Sequence, residues 1–107
     1  MTAAKIAELN DHLRRTFAGG RVLMTAAVAA LDPTVLAAVL EKVRTFADFS
    51  ADNDPHREHD FGVVTVEGER YFWKVDYYDL SMDFGSEDPS DPTVTTRVLT
   101  IGHVSDY

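Results

Sequence analysis

The chain has 107 residues, the length of one domain, and carries 18 Asp and Glu against 10 Lys and Arg for a formal charge of −8. That balance excludes generic binding to nucleic-acid phosphates or to an anionic membrane, since both need net positive contacts. There is no cysteine, which excludes a disulfide framework, a thiolate zinc centre, an iron–sulfur cluster and a cysteine nucleophile.

Residues 2–18 are predicted as an amphipathic helix. Ile6, Leu9, Leu13 and Phe17 fall on one stripe, and Lys5, Glu8, Asp11, His12, Arg14 and Arg15 fall elsewhere. Gly19-Gly20 ends it, because glycine accepts the left-handed conformation that closes a helix. Arg21–Thr25 reads as a short strand. The early charges interrupt any apolar secretory segment, and the uncharged run Val22–Leu31 is too short to cross a bilayer. Together with the absence of cysteine, this sets a cytoplasmic location as the expectation. Asp32-Pro33 starts a second helix, with Asp as N-cap and Pro at the first helical position. It runs to Phe46 with an apolar face of Val35, Leu36, Val39, Leu40, Val43 and Phe46.

Residues 47–60 have no clean period and read as an acidic loop. His56 and His59 with Asp60 are the residue types that hold Zn²⁺ or Mn²⁺, with His103 as a further candidate ligand, and they define a metal-assisted hydrolase as the alternative reading. Lys74 is the candidate charge stabiliser for a metal-free version. The order is His-x-Glu-His rather than His-Glu-x-x-His, and the calcium-loop positions counted from Asp52 fall on Arg57 and Val63. The expectation is therefore a polar loop with no metal and no cofactor.

Phe61–Val66 is predicted as a strand, Glu67-Gly68 as a hairpin turn and Glu69–Tyr78 as the return strand. On the return strand Tyr71, Trp73, Val75 and Tyr77 share the face expected to lie under the helices. Phe72 and Tyr78 share the opposite face, which a single helical layer would leave uncovered. Residues 79–93 form a second loop with two Asp-Pro steps, and Thr95–Val104 is a last strand. The fold class is α+β, in the order α-β-α-β-β-β, with two helices on one face of a small antiparallel sheet.

The charge is divided along the chain. Residues 1–47 sum to +2 and residues 48–107 to −10. The densest acidic run is Asp76, Asp79, Asp83, Glu87, Asp88 and Asp91, six carboxylates in sixteen residues with no Lys or Arg between them. Carboxylates interleaved with aromatic rings present a surface that a basic protein partner reads as phosphates, while the rings anchor the contact. These six, with Phe72 and Tyr78 as anchors, are the candidate partner-binding residues of a non-enzymatic acidic binding module, and the uncovered sheet face is a candidate homodimer surface.

Four strings in order carry a resemblance that spans most of the chain. They are His59-Asp60-Phe61-Gly62 with the Asp52–His56 segment before it; Phe72-Trp73-Lys74-Val75-Asp76-Tyr77-Tyr78-Asp79; Gly85–Pro89 with Asp91-Pro92; and Arg97–Ile101. Together they resemble a family of small bacterial proteins of unknown function, often carried on plasmids and other mobile DNA. The resemblance implies no catalytic residue and no cofactor. Its mobile-element setting implies, by analogy alone, an inhibitor of the anti-CRISPR or anti-restriction type that docks on a nuclease or CRISPR effector without touching nucleic acid itself.

Overall fold

The computed structural model describes residues 2–107. The elements in chain order are α1 (Thr2–Thr16), β1 (Arg21–Met24), α2 (Ala26–Ala29), α3 (Pro33–Thr45), β2 (Phe61–Val66), β3 (Glu69–Tyr78) and β4 (Thr96–His103). A 3₁₀ turn, Val104–Asp106, follows β4. α3 begins as its sequence dictates: the Asp32 carboxylate accepts from the backbone N–H of Thr34, and Pro33 occupies a position whose N–H would go unpaired. α1 ends earlier than its glycines suggest, because Phe17 already takes the left-handed conformation at φ 60° and its N–H donates to the Leu13 carbonyl.

The four strands stand in the order β1-β4-β3-β2. β2, β3 and β4 form the expected antiparallel meander, with Trp73 opposite both Gly62 and Ile101. β1 pairs with β4 in parallel, so the sheet is mixed and the antiparallel expectation is corrected at this edge. The reason is connectivity. A strand joined to its neighbour by a tight turn must run antiparallel, whereas β1 reaches β4 only after the helices and the meander, a connection long enough for parallel pairing. α2, a four-residue helix, is a further element that the sequence reading did not contain.

The helices cover one face of the sheet. Trp73, Leu13, Val39, Val43, Leu99 and Ile101 are completely buried there, and Tyr71 and Val75 nearly so. Leu9 and Leu40, on the apolar stripes predicted for the two helices, are only partly buried. Gly62 makes room for the indole, since a Cβ at that position would lie 2.4 Å from Trp73 Nε1.

The opposite face is not bare, which corrects the placement of Phe72. The residue is 3% exposed. It lies over Gly102 on β4, where a Cβ would come within 2.5 Å of the ring, and beneath Tyr107, whose ring centroid is 4.9 Å away. Tyr107 also covers Phe61, at 5.6 Å between centroids. The segment after β4 turns back because His103 and Asp106 cap the 3₁₀ turn reciprocally, and Asp106 also accepts from the Thr25 hydroxyl at 3.0 Å. Phe72 is thus a core residue of the second face and is withdrawn as a surface anchor.

Candidate interaction site at an acidic hairpin tip

The acidic run begins where β3 leaves the sheet. Tyr78 bridges to Gly85, the Asp79 N–H donates to the Phe84 carbonyl at 2.8 Å, and Ser86 N–H donates to the Tyr77 carbonyl at 3.1 Å. These bonds continue the strand into a short hairpin with its tip over residues 80–83. The Asp79 carboxylate holds the tip from inside, accepting from Ser81 Oγ and from the N–H groups of Asp83 and Phe84. Two more turns repeat the device. Asp88 accepts from Ser90 N–H and Oγ, and Asp91 accepts from Thr93 N–H and Oγ.

The predicted site residues therefore divide by role. Asp79, Asp88 and Asp91 shape the loop with their own carboxylates, and Asp76 pairs with Lys74 at 3.1 Å. Asp83 and Glu87 are exposed. Desolvation of Asp79 opposes ionisation, but the bonds from Ser81, Phe84 and Asp83 outweigh it and hold the carboxyl below its ordinary range. The Thr93 hydroxyl and N–H do the same for Asp91. Tyr78 is half-buried at the base of the hairpin. The large apolar groups presented here are Phe84, 76% exposed, and Leu80, 64% exposed. The sequence signal for them was the placement of Leu80 and Phe84 among carboxylates in a segment with no strand period.

A polar network fixes the root of this loop to the helical layer. Asn10 of α1, fully buried, donates to the Glu58 carbonyl and to the Tyr77 hydroxyl, each at 2.9 Å. The Tyr77 hydroxyl donates to Glu58 Oε1 at 2.9 Å. Arg97 donates through Nε to Asn10 Oδ1 at 2.6 Å and through its terminal nitrogen to the Pro89 carbonyl, with its guanidinium over the Tyr77 ring. Burial pushes Arg97 below its ordinary value and raises the Tyr77 phenol well above its own. The periodic reading of α1 missed Asn10 and placed Arg14 on its solvent side, but Arg14 is fully buried. It donates to the Val43 and Arg44 carbonyls at the end of α3 and lies 4.9 Å from the Trp73 ring centroid. The available signal was the Asn10–Arg14 pair, four apart and flanking the Leu13 stripe.

The 52–60 segment is built for folding. Asp54, 4% exposed, accepts from the N–H groups of Glu58 and His59. His59 stacks face to face on Phe49 at 3.9 Å, and its Nδ1 is 3.0 Å from an Asp11 oxygen. His56 is exposed. His56, His59 and Asp60 do not converge, and among the described residues no three His, Cys, Asp or Glu side chains are grouped to hold a metal ion. The predicted further ligand, His103, is instead engaged with Glu69 at 2.7 Å.

Among the described residues no helix is long and apolar enough to cross a membrane. No curated protein and no solved structure matches the chain. A family model does match, over residues 24–106, and by that match the chain belongs to the family described as protein of unknown function DUF3768.

Proposed function

We propose that the protein is a non-enzymatic binding module that docks its hairpin tip on a basic surface of a nucleic-acid-handling protein. A defence nuclease of the CRISPR or restriction class is the partner whose cleft has the required chemistry. The observation that carries this reading is the exposure of Phe84 and Leu80 at 76% and 64% within a loop whose turns are held by Asp79, Asp88 and Asp91. Large apolar groups at a rigid tip are the anchors of an interface, and the surrounding charge steers approach to a positive cleft. The bonds accepted by Asp79 and Asp91 hold these two carboxyls below the ordinary carboxylate range, which favours their charged form.

The test is inhibition of DNA cleavage by purified CRISPR effectors and restriction nucleases. The wild-type protein slows cleavage, with an effect that weakens as salt rises. Asp83→Asn with Glu87→Gln lowers the association rate by about tenfold while leaving the fold intact. Phe84→Ala shortens the lifetime of the complex. Undiminished cleavage at micromolar protein across that panel overturns the proposal, as does equal inhibition by all three forms.

A further inference from the structure

A groove of about 860 Å³ runs along the outer side of α1, with Ala3, Ala4 and Ala7 on its floor and Arg57 and His59 on its far wall. On that side of the helix Ala4, Glu8, Asp11 and Arg15 fall in one line, at steps of four, three and four. The charges along this seam are self-complementary. If a second α1 is laid antiparallel, with the two-fold axis between residues 11 and 12, Glu8 meets Arg15 of the second copy and Arg15 meets its Glu8. Ala7 then meets Thr16, so small residues face one another where the backbones approach.

The two charges that would cross are the ones the monomer leaves unused. Glu8 is exposed and makes no ion pair among the described residues, and the Arg15 guanidinium, 61% exposed, is a loose 3.9 Å from Asp11. Asp11 itself is turned inward, 3.0 Å from both Arg14 and His59, so its charge is already answered near the axis. At about 1.5 Å rise per residue, equivalent Arg15 groups would sit about 10 Å apart along the axis and Glu8 groups the same. Attraction across the seam therefore acts at shorter range than repulsion along it.

We propose that α1 is an isologous interface at which a second copy of this chain fills the groove, with reciprocal Glu8–Arg15 pairs setting an antiparallel register. A helix of this length covers less than the roughly 800 Å² per partner of a standard interface, so the association is in the micromolar range or weaker. Sedimentation over a wide concentration range tests it. Wild type shifts from monomer to dimer as concentration rises. Glu8→Arg alone and Arg15→Glu alone each weaken association by tenfold or more, because each places like charges opposite one another. The double variant regains wild-type association, and a mixture of the two single variants forms a heterodimer. Circular dichroism melting verifies that every variant is folded, as both positions are exposed. A monomer at all concentrations overturns the proposal, and so does a double variant no better than the singles.

Discussion

Asn10 ties α1 to three other parts of the molecule: the Glu58 segment, β3 through Tyr77 and β4 through Arg97. Asn10→Ala would leave the Arg97 Nε, the Glu58 carbonyl and a bond to Tyr77 unanswered inside the protein. Only the Arg97 bond is fully buried, where a lost partner costs about 1–3 kcal/mol, and the two partly buried bonds add less, so the expected loss is about 2–4 kcal/mol, measured by urea unfolding. A loss below about 1 kcal/mol would show that water replaces the amide. Asp60 behaves in the opposite sense. Burial chiefly, and then the charges of Glu58 and Asp54, raise its carboxyl above the ordinary value, against the pull of its own backbone. A raised carboxyl means the folded state holds its proton longer than the unfolded state. Its contribution is therefore intact below the ordinary carboxylate range and is lost as pH rises through the folded value. Asp60→Asn is expected to raise Tm at pH 7 and to leave it nearly unchanged at pH 3. An equal shift at both would assign the effect to packing instead.

Among the elements, the β2–β3 hairpin was legible from its alternating strands and from the Glu-Gly turn that sets its register, and β4 from its β-branched residues. Trp73 and Tyr71 are buried on the helical face for the same reason. The parallel edge was not legible, since β1 has four residues and nothing in R-V-L-M marks a partner at the far end of the chain. Phe72 was misplaced because its cover comes from Tyr107, held in place by capping bonds in a three-residue 3₁₀ turn that leaves no periodic trace. Of the candidate site, the carboxylates were legible as a charge run. Which apolar side chains are exposed there was not, because a loop's geometry decides which side chains face water. The cover of Phe72 gives a prediction at this scale. Tyr107→Ala removes ring contacts to both Phe72 and Phe61 and is expected to cost about 1 kcal/mol, given the usual size of an aromatic pair. Unchanged thermal stability would mean the second face tolerates water over Phe72.

For the molecule as a whole, one strand decides what can exist alone. β4 is the strand between β1 and β3, and it follows in sequence everything it joins. Until it arrives, the β2–β3 hairpin has one free edge where a neighbour belongs, and β1 has no partner at all. Pairing Arg21 with Val98 also closes a loop that spans most of the chain, and such distant pairing must be reached before it rewards the entropy lost. A translating ribosome therefore releases the last strand into the middle of an unfinished sheet, and a message cut short upstream of β4 yields a fragment without a completed core. The sheet is in this sense completed by one strand or not at all, so copies that stop short of β4 are expected to be cleared by proteases as unfolded chains.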